Sequence, residues 1–424
     1  MKTRLFTVLV AAFFVTLPVS EAAFGKTELI DELGQASGRL TPADTPDLID
    51  YQGEEGTRAN VAAATIEGFG ADALPYLVEA LDAGKNQYRV MVILSGIKDK
   101  RAVDAMIRQF RDPSSPVQGF AATFLKGYGD FAARDILALL KSPADVPLVA
   151  EMLADASPSR DTLERVRGML DSKSAPEREC AALLAGAWKD TASAKSLERL
   201  LFDPDPRVRK AAISGYKGLY QNAPEGLDQG LIIKLLREEK DEKNKHEALV
   251  LARNLPVASE ELSVVLGDII KNEKSPLILQ GAISTAGVVK ARGLVLTLIE
   301  VLETQKDLVA TENAIFSLGE LKAEEAVPYI VKYFTGLEKP TTHMQRQTYL
   351  TLVEIGKPVE LKPFLPYLFS SYAIHESLDA LLSLIEMSAA QGDKEVISAL
   401  EKFDAQNKSE MLAERVRQVL RKLK

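Results

Sequence analysis

The feature that most constrains this chain is a sequence repeat of roughly thirty residues. Its clearest copy, Asp203 to Tyr216, reads DPDPRVRKAAISGY, and its first residue is suited to cap a helix. Apolar and small residues then recur at i, i+3, i+4 and i+7, namely at Val208, Ala211, Ala212 and Gly215. This spacing predicts a helix with one face of mostly small side chains, against which another helix can pack closely.

The repeat continues through almost the whole chain. Helices similar to the one around Ala211 recur at spacings of 29 to 37 residues. Their reference positions are Ala62, Met91, Phe120, Ala150, Ala181, Ala211, Ala248, Ala282, Ala314, Thr348, Ser377 and Ala413. Ala150 is the least secure of these, because the residues before it, VPLV, resemble the start of a second helix. A persistent period favours an array over several unrelated domains.

A second apolar string follows each first helix after a turn. The strings at residues 73–78, ALPYLV, and 326–331, AVPYIV, are nearly identical. Because an isolated pair of short helices cannot bury its apolar face, the pairs must stack on one another. The sequence therefore predicts an all-α fold, an α-solenoid of about twelve helix-turn-helix units over residues 56–424. The charged stretch 237–246 is interpreted as a solvated loop insertion in that array.

The residues of the clearest copy resemble a known repeat. Asp203-Pro204, then Val208-Arg209, then Ala211-Ala212 is similar to the HEAT repeat, in particular to the short HEAT repeats of phycobilisome lyases. The resemblance covers residues 56–424 in period and about three units in residue identity. It implies a superhelix whose second helices line a concave inner face, and it implies a fold more than a function. Phe120 and Thr348 depart from it, since the reference position is otherwise mostly small.

The first 22 residues have the pattern of a secretory signal peptide. Lys2 and Arg4 precede a mainly apolar run, Leu5 to Leu17, and Ser20-Glu21-Ala22 resembles a cleavage site. Thirteen residues are short for a membrane span, although an uncleaved anchor is the alternative. We therefore expect an exported protein, in the bacterial periplasm, with residues 23–55 forming a partly ordered lead-in to the array.

Charge and reactive residues exclude several function classes. The formal net charge is −8, which argues against a nucleic-acid partner. His246-Glu247 and His375-Glu376 resemble the iron-binding dipeptides of deoxyhypusine hydroxylase, but that family uses four, so we expect exposed polar side chains here. Cys180, the only cysteine, lies in an apolar helix without a neighbouring base and is expected to be buried and inert. No catalytic, cofactor-binding or metal residues are predicted, and the protein is not expected to be an enzyme.

Two surfaces remain as candidates for binding. Tyr76, Tyr329 and Tyr367 each follow a proline on a second helix, and tyrosine is common at protein interfaces, although it also fills space between helices. The basic, amphipathic C-terminal stretch 409–424 either caps the array or contacts acidic lipid or a partner.

These features together predict an exported scaffold or adaptor that binds a protein or peptide on its concave face. Two alternatives stay open: an accessory subunit of an enzyme or lyase, and a structural spacer in a cell-envelope complex.

Overall fold

The computed structural model describes residues 40–50, 57–368, 375–406 and 410–424. Regular structure in these residues is helical throughout. The predicted signal peptide, residues 1–22, and most of the predicted lead-in, residues 23–55, lie outside them. By its internal contacts the chain divides into two compact units, one ending at Trp188 and one beginning at Lys189.

The first unit alternates first and second helices of successive pairs. Its α-helices are α1 (Thr45–Asp50), α2 (Thr57–Phe69), α3 (Leu74–Asp82), α4 (Gln87–Gly96), α5 (Lys100–Arg111), α6 (Gln118–Tyr128), α7 (Ala133–Leu137), α8 (Val146–Ala154), α9 (Arg160–Met169) and α10 (Ala175–Ala187). Short 3-10 helices lie at Pro42–Asp44, Gly70–Ala73, Gly129–Ala132 and Pro143–Asp145. Helices α2, α4, α6, α8 and α10 form one layer, in which each packs against the next, and α1, α3 and α5 pack in the same order in the other.

The second unit repeats this arrangement. Its α-helices are α11 (Ala194–Leu200), α12 (Pro206–Leu219), α13 (Gln229–Glu238), α14 (Glu242–Ala252), α15 (Glu260–Asn272), α16 (Pro276–Val288), α17 (Val295–Thr304), α18 (Leu308–Glu320), α19 (Val327–Gly336), α20 (Thr342–Ile355), α21 (His375–Ser388), α22 (Lys394–Gln406) and α23 (Glu410–Leu423). Its 3-10 helices lie at Thr191–Ser193, Pro224–Gly226, Arg292–Leu294, Glu324–Ala326 and Leu365–Leu368. First helices α12, α14, α16, α18, α20, α21 and α23 pack in order, as do second helices α13, α15, α17 and α19.

Capping side chains fix where the first helices begin. Asp241, Ser275 and Asp307 precede α14, α16 and α18, and each accepts a hydrogen bond from a backbone N–H in the first turn. At α12 the cap is Asp205, which accepts from Arg207 N. The expectation that Asp203 caps this helix is therefore wrong by two residues, because Asp203 instead accepts from the backbone N–H of Asp205.

Small side chains bring consecutive first helices close together, as the repeat predicted. A Cβ atom placed on Gly287 of α16 would lie 2.6 Å from Ser317 Cα of α18. The Ser317 hydroxyl donates to the Ile283 carbonyl oxygen across this contact, at 2.9 Å. Thr285 donates to Leu249 O of α14 in the same way, at 3.2 Å.

Several of the turns after a first helix place one residue in the left-handed region. Gly70 and Gly129 occupy it at φ 57° and 55°, whereas Lys290 and Lys322 occupy it at φ 56° and 50°. The sequence signal for this turn is weak because glycine, the residue that adopts this conformation at lowest cost, is replaced by lysine in some copies and present again at Gly356.

Eleven of the twelve reference positions are buried, which confirms the repeat register there, Ala150 included. Phe120 is the exception, since 48% of it is exposed while Ala121 is fully buried. The small residue at this contact is therefore Ala121, and the assignment of Phe120 is wrong by one position.

The charged stretch 237–246 is not a loop insertion. Helix α13 continues to Glu238 and α14 begins at Glu242, so only three residues join them. The carboxylate of Glu239 in that junction is buried. The chain is an all-α protein with the architecture of an α-solenoid, built from stacked helix pairs in each unit.

Candidate functional site

The three tyrosines selected from the sequence have different surroundings. Tyr76 lies half-buried on α3 in the first unit. Tyr367 is half-buried in the second unit, where its ring packs edge-on to Phe334 at 5.2 Å between ring centroids. Tyr329 on α19 is 38% exposed. Of the three tyrosines, only Tyr329 thus has a large exposed surface. Tyr367 instead packs against a neighbouring aromatic side chain, which was the alternative to a binding role.

Tyr329 is accompanied by two other exposed apolar side chains. Val264 on α15 is 54% exposed and Leu296 on α17 is 76% exposed. We call Val264, Leu296 and Tyr329 the apolar row. Its members lie on three second helices that pack consecutively in the second unit.

The members lie close to the first buried residue of their helices, at positions that differ by one residue. The first buried apolar residues of α15, α17 and α19 are Leu262, Val295 and Val327. Val264 and Tyr329 come two residues after that position, and Leu296 comes one residue after it. The row therefore lies near the start of each helix, on the side away from the buried contacts.

Direct contacts connect these three helices. Gly267 of α15 faces Leu294, because a Cβ atom on Gly267 would lie 2.9 Å from Leu294 Cδ2. Lys332 of α19 forms an ion pair with Glu303 of α17 at 3.5 Å. The three helices are thus packed side by side in the order α15, α17, α19.

Free carboxylates lie along the same helices. Asp268 is four residues after Val264 and Glu300 is four residues after Leu296, which places each carboxylate one helical turn from an apolar side chain. We define the acidic flank as the exposed residues Glu260, Asp268, Glu300, Glu324 and Glu325. None of the five forms an ion pair with another described residue. The exposed cations on α15 and α19 are Lys271 and Lys332, and Lys332 is already paired.

The arginine of the repeat motif has a structural role. Arg209 forms a bidentate pair with Glu239, with both N–O distances at 2.8 Å. Glu239 also accepts hydrogen bonds from the backbone N–H groups of Lys240 and Asp241. Burial alone would raise the pKa of Glu239, but these hydrogen bonds outweigh burial and hold the pKa below its usual value. Arg209 is therefore engaged in joining two loops and is not a free ligand group.

The next pair repeats this arrangement. Lys245 stands four residues after its N-cap, as Arg209 does, and lies 3.5 Å from Glu273. Glu273 accepts hydrogen bonds from the N–H groups of Lys274 and Ser275. One sequence signal could have predicted this pair. Glu239-Lys240-Asp241 and Glu273-Lys274-Ser275 have the same order, a glutamate, a lysine and then the residue that caps the next helix.

The histidines have different surroundings where their side chains are described. The Nδ1 atom of His246 is buried without a hydrogen-bond partner, close to Gly281, so the expectation of an exposed side chain is wrong for this residue. His343 is 3.8 Å from Glu312. The side chain of His375 lies outside those described. No group of three or more metal-ligating side chains occurs among the described residues.

Cys180 is fully buried on α10. Burial raises the pKa of its thiol to about 12, with a smaller contribution from the nearby Glu179 carboxylate. The thiolate that would act as a nucleophile is therefore scarce near neutral pH.

The C-terminal helix α23 packs its apolar face against protein. Val416, Val419, Leu420 and Leu423 are all buried, and α23 contacts α21 and α22. Arg415 pairs with Asp379 and Glu386, each at 3.0 Å. This favours the predicted terminal cap over a lipid-binding helix. In the described part of the chain, no helix combines the length and apolar character that a membrane span requires.

An aromatic cluster on the first unit was missed. Phe120 packs edge-on against Tyr88 at 4.8 Å between ring centroids, and Phe124 lies 6.1 Å from Tyr88. Tyr88 and Phe120 are 45% and 48% exposed. Phe120 could have indicated the cluster, had its departure from the small reference residue been taken as a surface feature.

Comparisons with known proteins identify the fold and no more. No protein-family model matches the chain, and no curated protein matches it. The structure of Kap121p aligns over 96% of this chain and 52% of its own length, with 14% identity and a TM-score of 0.50. Kap95p aligns over 95% and 59%, with 10% identity and a TM-score of 0.44. The YibA protein of E. coli aligns over 64% and 97%, with 15% identity and a TM-score of 0.47.

The chain spans about half the length of Kap121p. At this identity the likeness concerns the fold alone, which is a solenoid of HEAT-like repeats.

Proposed function

We propose that this protein is an exported scaffold or adaptor that binds a protein or peptide through the second helices of its second unit. The observation that carries the proposal is the apolar row. Leu296 exposes 76% of its surface, and Val264 and Tyr329 on the two neighbouring helices are also apolar and exposed. Contiguous exposed apolar side chains on a soluble protein mark interaction sites more often than single ones do.

The architecture supports a large partner. Stacked helix pairs present an extended surface, which suits a protein or peptide better than a small molecule. Three surface depressions of the second unit are lined by residues other than Val264, Leu296 and Tyr329, and one of them includes Asp268 in its lining. The finer repeat assignment, to the short HEAT repeats of phycobilisome lyases, rests on the period and on the motif around Arg209.

The proposed export rests on residues 1–22. A basic start, an apolar run and small residues near Ala22 support delivery to the periplasm of a bacterium. Fractionation of cells that express the full chain, with mass spectrometry of its N-terminus, tests this step. Recovery in the cytoplasm with residues 1–22 intact would contradict it.

Binding is tested by crosslinking the exported protein in intact cells and comparing wild type with Leu296→Glu. We expect a discrete crosslinked partner with wild type and its loss with Leu296→Glu. Leu308→Glu is the matched control, since Leu308 is 55% exposed but lies at the start of a first helix. Equal capture by wild type and Leu296→Glu would refute the proposed surface. Co-purification only with an assembled envelope complex would favour the spacer alternative.

A further inference from the structure

The acidic flank beside the apolar row indicates what kind of partner fits there. Five exposed carboxylates without ion-pair partners lie on or directly before α15, α17 and α19. The exposed cations on or directly before these helices are Lys271, Arg292 and the already paired Lys332, which is fewer than the unpaired carboxylates. The surface around the apolar row therefore has an excess of negative charge.

This charge is not required by the fold. Elsewhere in the second unit, carboxylates join consecutive helices, as Glu239 does with Arg209 and Glu273 does with Lys245. Asp268 and Glu300 have no such contact, and each instead lies one turn from an exposed apolar residue. An acceptor of this kind is available to a partner.

We propose that the segment bound on this surface is basic and apolar, with Lys or Arg close in sequence to Leu, Ile or aromatic residues. This inference rests on the proposed function. The separation of apolar and acidic side chains by one helical turn, about 6 Å, sets the scale. A cation within one or two residues of an apolar anchor can reach Asp268 or Glu300 while the anchor contacts Val264 or Leu296.

The chemistry also accounts for why both features are needed. Exposed ion pairs contribute little by themselves and are weakened by salt, so they would set specificity and association rate. The apolar row would supply most of the affinity by removing apolar surface from water. An acidic segment would meet like charge, and a purely apolar one would leave the carboxylates without partners.

The test selects short random peptide segments from a display library on the purified chain without residues 1–22. We expect the selected segments to be enriched in Lys or Arg next to apolar residues. Their affinity should fall about tenfold between about 50 mM and about 500 mM salt, because the Debye length shrinks below the spacing of the charges. The double variant Asp268→Lys and Glu300→Lys should weaken binding about tenfold, since each reversal replaces an attraction by a repulsion.

The matched control is Glu67→Lys with Glu151→Lys, which makes the same charge change at exposed positions on α2 and α8. We expect it to leave the affinity within about twofold of wild type. Selection of neutral or acidic segments, or no enrichment at all, would overturn the inference, as would equal losses in both double variants. A natural partner that depends on Leu296 but is insensitive to salt and to the Asp268/Glu300 reversal would overturn this inference and leave the proposed function standing.

Discussion

Replacing Gly287 by alanine tests whether the helix pairs are held together by the contact of small side chains. Gly287 is buried on α16, and a Cβ atom there would come within 2.6 Å of Ser317 Cα and 2.7 Å of Ser317 Cβ on α18. The nearest atom belongs to backbone, so a side-chain rotation cannot relieve the clash. The two first helices must move apart or deform.

Three contributions set the size of the effect. Overpacking a close-packed contact costs about 1–3 kcal/mol. Separation of the helices also strains the hydrogen bond from Ser317 to Ile283 O, which contributes about 1 kcal/mol. Alanine gains about 1 kcal/mol over glycine in helix propensity. The net expectation is a destabilisation of about 2 kcal/mol, or a midpoint lower by about 5 °C for a unit of this size.

Thermal and urea unfolding, followed by circular dichroism, measure this change. Gly336→Ala is the control in the same unit, because a Cβ atom at Gly336 meets nothing within 4 Å. We expect it to be as stable as wild type or more stable by up to about 1 kcal/mol, because alanine has the higher helix propensity. If Gly287→Ala were as stable as Gly336→Ala, the close approach of α16 and α18 would not exist as described, and the packing argument for the array would fail.

Other predictions concern charge, reactivity and the chain end. Arg209→Ala should destabilise the second unit by about 3 kcal/mol, because it leaves the buried Glu239 carboxylate without its cation. Glu261→Gln, which removes one partner of an exposed ion pair, should change stability by less than about 0.5 kcal/mol. The pKa of Glu239 in the folded protein is lowered from 4.5. The contribution of Glu239 to the free energy of unfolding is therefore complete above about pH 4.5 and is lost as the pH falls through the folded pKa. The stabilities of wild type and Glu239→Gln, measured by urea titration, should converge in acid. The Cys180 thiol should resist a thiol reagent at pH 8 until the protein is denatured. Modification of the native protein as fast as the denatured protein would contradict its burial. Deleting residues 409–424 should lower the melting temperature without changing sedimentation with acidic vesicles, and the reverse result would favour a lipid contact.

The repeat could be predicted because stacking leaves a periodic trace in the sequence. Every first helix must bury a face against two neighbours, so the reference position stays buried from Ala62 to Ala413 in all copies but one. The exception is Phe120, which is exposed. Ala211 and Ala212 are both buried, so either residue could mark the reference position in the clearest copy. In the copy around Phe120 only the second choice, Ala121, is buried.

Charged residues were harder to place. The stretch 237–246 has the composition of a solvated loop, and composition alone does not show that Glu239 accepts four hydrogen bonds from Arg209 and two backbone N–H groups. The partner is thirty residues away in sequence, and its position depends on how consecutive pairs stack. The same dependence explains why Lys245 and Glu273 were missed.

The candidate surface was only partly accessible from the sequence. Tyr329 was selected by a repeated Pro-Tyr step, but Val264 and Leu296 have the residue types of a helix core, and only the packing of α15, α17 and α19 shows that they face outward. That same packing separates what the fold requires from what it does not. Leu262, Val295 and Val327 are apolar because stacking buries them, whereas Val264, Leu296 and Tyr329 are exposed. Exposed apolar side chains at these three places contribute little to the stack, and the proposed partner would give them a role that stacking does not.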